Sequence, residues 1–234
     1  MKIYIIIASK NCNLKFFKII KKICKDLSFY RLIIINDGSN IKSIKILSEV
    51  KKIDTRIKLL TNKKNIGQGG SIKKAIKSIP NLENSKILTM DDDGQHHIND
   101  VKKIIFKSEK VLDKNFVCFG VRNFKIKNTP LKSFIGNHIS RFIYYAITRN
   151  ELRDTQTGLR MYSSHLAKRF LKIQNNGFDF HNIMNFYLAK SNIKIKQINI
   201  RTIYFEKNKL TKFKSLKDSL LILRSVFNFL KNKY

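Results

Sequence analysis

The chain has 234 residues, enough to bury the core of one α/β domain with a small appendage. Its 48 Lys and Arg residues against 16 Asp and Glu give a formal charge of +32, which favours contact with nucleic acid, an anionic membrane surface or phosphorylated substrates. The cysteines Cys12, Cys24 and Cys118 are widely spaced. This spacing argues against a disulfide framework or a zinc site, and it is typical of a protein in the reducing cytosol.

The opening residues do not resemble a secretory signal, because the apolar run Ile3–Ala8 passes directly into Ser9-Lys10-Asn11. No uncharged run reaches the roughly 18 to 20 residues that a membrane-spanning helix needs. The longest, Phe180–Ala189, contains His181 and Asn185. We therefore expect a cytoplasmic protein that crosses no membrane.

Short β-branched runs alternate with amphipathic stretches through the first half of the chain. This alternation predicts βαβ units and the α/β class, with a mostly parallel sheet flanked by helices. The predicted strands are Ile3–Ala8, Leu32–Asn36, Ile57–Leu60, Lys86–Met90 and Phe116–Val121. The predicted helices are Leu14–Lys25, Ile41–Ile53, Ser71–Ile79 and Val101–Leu112.

The regular alternation stops after Arg122. We predict an amphipathic helix over Leu131–Thr148, a polar loop over Asp154–Arg160, a strand or hairpin over Ile193–Phe205 and an amphipathic helix over Ser215–Lys231. The expected organisation is one domain over residues 1–210, with halves at 1–122 and 123–210, followed by a helical segment at 211–234.

Three acidic residues follow the fourth predicted strand. In extended geometry Asp91 and Asp93 point the same way and Asp92 points oppositely. Two converging carboxylates suit Mg²⁺ or Mn²⁺ bound together with substrate phosphates, and Gln95 adds a carbonyl oxygen. The alternative is a solvated turn that caps the helix starting near Asn99. We favour the metal site because the acidic cluster lies at a strand end in a strongly basic chain.

Two further segments follow predicted strands, where ligands bind in parallel sheets. Asp37 in Asp37-Gly38-Ser39 is suited to accept from a base or a ribose hydroxyl, and equally to an ordinary Asp-Gly turn. The glycine-rich segment Asn65–Gly70 opens a helix whose N–H groups could approach phosphate. It matches neither a Walker motif nor a dinucleotide-binding fingerprint.

Taken in order, these segments resemble the family 2 glycosyltransferases with a GT-A fold, especially their dolichyl-phosphate mannose synthase-like branch. The resemblance covers nearly the whole chain. The family's V-D-D-G-S, N-x-G-x-G, D-x-D-x-Q-H and D-T-Q-T-G-L-R motifs appear as Ile35–Ser39, Asn65–Gly69, Asp91–His96 and Asp154–Arg160.

The resemblance implies a nucleotide-diphosphate sugar donor and a bound Mg²⁺ or Mn²⁺. It implies that Asp91, Asp93 and Gln95 hold the metal between the donor phosphates, with Asp93 also a candidate catalytic residue. The nucleotide-sugar site would then comprise Ala8, Asp37, Gly67, Asp91 and Asp92.

The resemblance also implies that Arg122, Lys132 and Arg160 face an acceptor phosphate. Two positions depart from the family pattern. Ile7–Asn11 replaces the family's P-x-Y-N-E and lacks its acidic residue, and Gln68 replaces a basic residue of the glycine loop. Lys64 or Lys73 would have to compensate for the second change.

Two acceptors are consistent with these residues. A polyprenyl phosphate is anionic and attacks without a strong general base, with inversion, whereas the hydroxyl of a surface glycan needs a carboxylate base. Asp154 is the candidate base, and the alternative is that it ties its loop to Arg160. A nucleic-acid-binding module would need a basic and aromatic platform, and none is evident in the sequence. We expect no nucleic-acid partner.

The last segment predicts a peripheral attachment to the inner face of the membrane. Leu216, Leu220 and Leu223 share an apolar side, and basic residues close to an anionic leaflet contribute on the order of 1 kcal/mol each. The alternative is that this segment packs on the domain or on another subunit.

Overall fold

The computed structural model describes residues 1–27, 30–124 and 129–204, together with residues 224, 226, 227 and 231. The strands are β1 Lys2–Ser9, β2 Arg31–Asp37, β3 Ile57–Asn62, β4 Ser85–Met90, β5 Val117–Val121, β6 Arg160–Ser163 and β7 Lys196–Asn199. The helices are α1 Leu14–Asp26, α2 Ile41–Lys52, α3 Gln68–Lys77, α4 Ile98–Ser108, α5 Leu131–Thr148, α6 Ser164–Phe170 and α7 Asp179–Lys190.

The strands of the described residues form one sheet in the order β3-β2-β1-β4-β6-β5-β7. All neighbouring pairs are parallel except those made by β6, which runs antiparallel to both β4 and β5. Because β6 is reversed, its first residue lies at the edge where the other strands end. The loop before β6 therefore reaches the same edge as the segments that follow β1 to β5.

The central strands are buried on both faces, which explains their continuous apolar sequences. Ile5 and Ile7 of β1 belong to a core cluster that also contains Phe16 of α1 and Val101 of α4. Ile6 belongs to a second cluster, which contains residues of α3, α6 and α7. Alternate side chains of one strand thus pack against the helical layers on the two faces of the sheet.

Asparagine side chains fix the start of the first two helices. Asn13 Oδ1 accepts from Lys15 N at 2.9 Å, and Asn40 Oδ1 accepts from Ser43 N at 3.0 Å. Such caps satisfy backbone N–H groups that have no partner within the helix. They fix the residue at which α1 and α2 begin, directly after the loops that follow β1 and β2.

The predicted strands and helices of the first half are confirmed, with small changes at their ends. The helix expected to reach Leu112 ends at Ser108, whereas α5 has the predicted bounds. Two expectations for the second half are corrected. The strand or hairpin over Ile193–Phe205 is the four-residue β7 within the described residues. The polar loop predicted over Asp154–Arg160 ends one residue earlier, because Arg160 begins β6, and both Asp154 and Arg160 are 0% exposed.

The predicted C-terminal helix lies outside the described residues apart from four positions. Those four are helical, and Val226 is buried in the core cluster that contains Tyr144 of α5 and Phe186 of α7. Among the described residues, no helix is both long enough and apolar enough to span a bilayer.

Candidate functional site

Polar side chains collect at the edge where the parallel strands end. Ser9 ends β1, Asp37 ends β2, Asn62 ends β3, Asp91 follows β4 and Arg122 follows β5. Ligands of open α/β sheets bind at this edge. The topology thus brings together residues that are far apart in the sequence.

Asp91 is held by side chains from two directions. Its Oδ1 accepts from Nε2 of Gln68 at 2.9 Å, and its Oδ2 lies 3.2 Å from Nε2 of His96. Burial acts to raise the pKa of Asp91, but the hydrogen bond to His96 and the positive charge of Arg122 outweigh it, so that pKa lies below its usual range. Asp91 therefore carries a fixed negative charge.

Gly158 lies directly against the Asp91 carboxylate. A Cβ atom at residue 158 would lie 2.2 Å from Oδ2 of Asp91, closer than any real contact. The Gly158 carbonyl also accepts from Oγ1 of Thr89 in β4 at 3.0 Å. The glycine of the loop before β6 is thus required for the observed position of the carboxylate.

Asp92 and Asp93 follow different paths from those that extended geometry predicts. Strand β4 ends at Met90, and the chain bends afterwards. Oδ2 of Asp92 accepts from Oγ of Ser9 at 2.8 Å, whereas Oδ1 of Asp93 accepts from the backbone N of Gln95 at 2.9 Å. Asp93 keeps part of its surface exposed to solvent.

The negative charges of Asp91 and Asp93 act on each other. The pKa of Asp93 is raised, first by partial desolvation and then by repulsion from Asp91. Within the described ranges, no three His, Cys, Asp or Glu side chains form a ready-made metal cage. Mg²⁺ commonly binds through one or two carboxylates and takes its remaining ligands from phosphates and water. Two repelling carboxylates with Gln95 in the same turn fit this mode of binding.

Asp37 ties β2 to the glycine-rich loop. It is buried, and its Oδ1 accepts from Nδ2 of Asn62 at 3.0 Å and from N of Ile66 at 2.8 Å. Its Oδ2 accepts from N of Gly67 at 3.0 Å. Both oxygens accept hydrogen bonds from the protein, so Asp37 holds the glycine-rich loop against β2 and β3. A carboxylate offers about four acceptor sites, and the direct contact of Asp37 with a nucleotide stays a prediction. The Gly67 N–H, expected near phosphate, is likewise engaged with Asp37.

The glycines of this loop allow close packing. Gly67 has φ of 87°, and a Cβ there would lie 2.3 Å from the carbonyl oxygen of Asn176. A Cβ at Gly69 would lie 2.4 Å from Cβ of Phe180 in α7. The backbone N of Gly70 donates to the same Asn176 carbonyl at 3.0 Å. These contacts fix the start of α3, from which Gln68 reaches Asp91.

Arg122 and Asp154 form a pair beside the carboxylates. Nε of Arg122 donates to Oδ2 of Asp154 at 2.7 Å, and Nη2 donates to Oδ1 at 3.1 Å. The Arg122 side chain is 15% exposed and that of Asp154 is 0% exposed. Burial acts to lower the pKa of Arg122, but Asp154 outweighs it and holds that pKa above its usual range. Asp154 thus ties its loop to Arg122 and not to Arg160.

Arg160 is a buried structural residue, which corrects its expected role at an acceptor phosphate. Its Nε donates to the carbonyl of Thr157 at 2.8 Å, and Nη1 donates to the carbonyl of His181 at 3.0 Å and to Oδ1 of Asn185 at 2.9 Å. Its guanidinium lies 4.3 Å from the ring centre of Phe119. Burial lowers the pKa of Arg160 to about 10. With no exposed surface, it cannot reach a bound ligand.

Two other expected residues are placed only in part. Ala8 is half-buried near the end of β1, paired with Ile35 of β2, so its backbone lies at the site edge. Lys132 lies in the first turn of α5, and its side chain lies outside the described residues.

His181 and Gln68 are site residues whose contacts the sequence did not reveal. His181 on α7 is buried, its Nε2 has no hydrogen-bond partner, and its charge state is linked to Asp91. Burial lowers its pKa to about 3, with a further effect from Arg160, so the ring is neutral. The available signal was a histidine within the apolar run Phe180–Ala189.

Comparison with curated proteins gives relatives over most of the chain. The chain is 26% identical over 221 residues to UDP-N-acetylglucosamine–dolichyl-phosphate N-acetylglucosaminyltransferase from Methanococcus voltae, covering 87% of this chain and 86% of that protein. It is 30% identical over 206 residues to dolichyl-phosphate beta-glucosyltransferase from Dictyostelium discoideum, covering 82% of this chain and 61% of that protein.

Comparison with solved structures supports the fold. Glucosyl-3-phosphoglycerate synthase from Mycobacterium tuberculosis, in complex with Mn²⁺, uridine diphosphate and phosphoglyceric acid, matches with a TM-score of 0.72 at 11% identity. The match covers 100% of this chain and 80% of that chain. The family model for glycosyl transferase family 2 matches residues 4–171. The chain therefore belongs to glycosyl transferase family 2, and its mostly parallel sheet flanked by helices is a GT-A fold.

Proposed function

We propose that the chain transfers a sugar from a nucleotide-diphosphate sugar to a polyprenyl phosphate, with Mg²⁺ or Mn²⁺, at the cytoplasmic face of a membrane. The observation that carries this proposal is the meeting of two carboxylates and an arginine at one sheet edge. Asp91 and Asp93 follow β4, Arg122 follows β5, and the charges of Asp91 and Arg122 shift each other's pKa values.

On the donor side, Asp91, Asp93 and Gln95 are the residues that would hold the cation. When bound, the cation supplies positive charge that stabilises the departing nucleoside diphosphate. Gln68 and His96 keep the Asp91 carboxylate in place, and Ser9 does the same for Asp92. These contacts orient the acidic turn before any ligand arrives.

On the acceptor side, the burial of Asp154 favours a phosphate over a hydroxyl. A glycan hydroxyl needs a carboxylate base within reach, and Asp154 has no exposed surface and is paired with Arg122. A phosphate oxygen is already anionic at neutral pH. It forms the bond to the anomeric carbon while the bond from that carbon to the diphosphate oxygen breaks. One displacement of this kind inverts the configuration, and no proton has to be removed.

Arg122 is the residue that we assign to the acceptor phosphate. Its guanidinium is partly exposed, lies 5.0 Å from the ring centre of Phe124 and is oriented by two hydrogen bonds to Asp154. An oriented guanidinium binds phosphate oxygens through paired donors. Lys132, at the start of α5, is a second candidate on grounds of the family resemblance.

The relatives support the same class of reaction. Two curated relatives are named for transfer to dolichyl phosphate, and the structural neighbour binds Mn²⁺, uridine diphosphate and a phosphorylated acid together. A lipid acceptor would bring the enzyme to a membrane surface. We propose peripheral attachment there, and the C-terminal helix predicted over Ser215–Lys231 stays a candidate for part of it.

The experiment is a donor and acceptor screen with the full chain. Purified protein with Mn²⁺ or Mg²⁺ is supplied with each nucleotide sugar and with either detergent-dispersed polyprenyl phosphate or free glycans. We expect nucleoside diphosphate release and a sugar-linked lipid only with polyprenyl phosphate. Arg122→Lys should raise KM for the lipid phosphate more than KM for the donor. Transfer to glycans alone would refute the proposed acceptor.

A further inference from the structure

Helix α5 exposes an apolar stripe along its whole length. Residues spaced three and four apart share one side of a helix. The exposed apolar side chains with this spacing are Leu131, Ile135, Ile139, Phe142 and Tyr145. Contiguous exposed apolar surface of this kind marks an interaction site, whereas single exposed apolar residues are ordinary.

The opposite side of α5 touches the candidate site. Nδ2 of Asn137 lies 3.4 Å from Oδ1 of Asp154, and Oγ of Ser140 lies 2.7 Å from Oγ1 of Thr155. Tyr144, on the same side, is buried in the core. A single helix therefore separates the Arg122–Asp154 pair from the apolar stripe.

The charge around the stripe favours an anionic partner. The sequence of α5 contains no Asp or Glu, and it contains Lys132 and Arg141, of which Arg141 lies 3.9 Å from the Glu151 carboxylate. Arg149 directly after the helix is exposed. The whole chain carries a formal charge of +32. An apolar stripe on a basic protein is complementary to a bilayer that contains anionic lipid.

The stripe borders a concave surface. A cavity of about 410 Å³ opens beside α5 and is lined by His138, Arg141, Phe142, Tyr145, Glu151 and Leu152. Aromatic side chains with a polar end, such as that of Tyr145, are enriched where protein meets the membrane interface.

We propose that the exposed face of α5 docks on the surface of a bilayer containing anionic lipid. This inference rests on the proposed function, because it places the Arg122–Asp154 pair one helix away from the headgroups that would present a lipid phosphate. It assigns the contact to α5 within the catalytic domain, in addition to any contribution from the C-terminal segment.

A tryptophan probe tests the proposal directly, because the chain contains no Trp. Phe142→Trp places a probe in the stripe. Phe106→Trp is the matched control, since Phe106 on α4 is 75% exposed and Phe142 is 72% exposed. With vesicles of phosphatidylcholine and phosphatidylglycerol, we expect the emission of Phe142→Trp to shift to the blue and to be quenched by lipids brominated on the acyl chain. The emission of Phe106→Trp should not change.

A second pair of variants measures the contribution to binding. Phe142→Asp should lower partition into these vesicles about tenfold or more, because a carboxylate would enter the interface. Phe106→Asp should leave partition unchanged, with thermal melts showing both variants folded. Binding should weaken in high salt and with phosphatidylcholine alone.

Three outcomes would overturn the proposal. One is no change in Phe142→Trp emission with vesicles, and another is an equal change in both probes. The third is a blue shift of Phe142→Trp that depends on protein concentration without vesicles and accompanies dimers in sedimentation, which would assign the stripe to a second copy. Transfer to detergent-dispersed polyprenyl phosphate is scored separately. Transfer without vesicle docking contradicts only the docking, and docking without transfer to any lipid phosphate contradicts only the proposed function.

Discussion

Gly158 controls the position of the Asp91 carboxylate, and this contact can be tested with one methyl group. Gly158→Ala would place Cβ 2.2 Å from Asp91 Oδ2, so the carboxylate must rotate away from Gln68 and His96. Because the carboxylate is a movable group, the fold should survive. We expect kcat/KM for the nucleotide sugar to fall about 10- to 100-fold, as when a residue that orients a metal ligand is changed.

Gly136→Ala is the matched control for this prediction. A Cβ at Gly136 in α5 meets no atom within 4 Å. Removing a glycine from a helix interior should stabilise the protein by about 0.5–1 kcal/mol and leave activity intact. Steady-state kinetics and chemical denaturation of both variants check the pair. Equal activity in the two variants would show that Gly158 does not position Asp91.

Asp154 could act as a catalytic base or as a structural partner of Arg122, and a stability measurement distinguishes the two roles. The buried pair predicts that Asp154→Asn destabilises the protein by about 3–5 kcal/mol, because Arg122 loses the charge that compensates its burial. Urea denaturation measures this loss. A variant of unchanged stability with abolished activity and an altered pH profile would instead indicate a base.

At the scale of elements, the glycine-rich loop docks α3 against the segment that precedes α7. Gly67→Ala combines a left-handed φ of 87° with a Cβ 2.3 Å from the Asn176 carbonyl. The positive φ of Gly67 is combined with an extended ψ of 162°, a region that is nearly restricted to glycine and costs a residue with Cβ about 1–3 kcal/mol. We expect the free energy of unfolding to fall by at least this amount.

The loss of stability in Gly67→Ala is measured by denaturant titration, and donor binding is measured on the protein that remains folded. Because Gly67 N donates to Asp37, the variant should also weaken donor affinity by displacing Gln68 from Asp91. Stability equal to that of the unmodified chain would contradict the packing described for this loop.

The sequence predicted the elements of the first half because each one satisfies its pattern locally. Strand β6 escaped prediction because it has four residues, and its Arg160 and Ser163 are polar although all four are buried. Helix α7 escaped because its His181, Asn182 and Asn185 are buried, which removes the contrast between apolar and polar faces. Both elements depend on burial supplied by the rest of the fold.

At the scale of the molecule, the order of motifs identified the family, and it predicted the edge of the sheet at which the candidate site residues collect. The sequence did not predict which side chains pair across long sequence separations. Arg122 pairs with a residue 32 positions away, and Nζ of Lys73 donates to the carbonyl of Asn175, 102 positions away. Such contacts are set by topology, so Asp154 and Arg160 could be placed in one motif but not assigned their partners.

The central claim is that the carboxylates after β4 support transfer of a sugar to a lipid phosphate. Phosphorus NMR of polyprenyl phosphate incubated with donor, Mg²⁺ and the full chain tests it most directly. We predict that the phosphomonoester signal is replaced by a phosphodiester signal with the unmodified protein, and that folded Asp93→Ala and excess chelator each prevent the change. A persistent phosphomonoester signal across all nucleotide sugars, or full conversion by Asp93→Ala, would contradict the account.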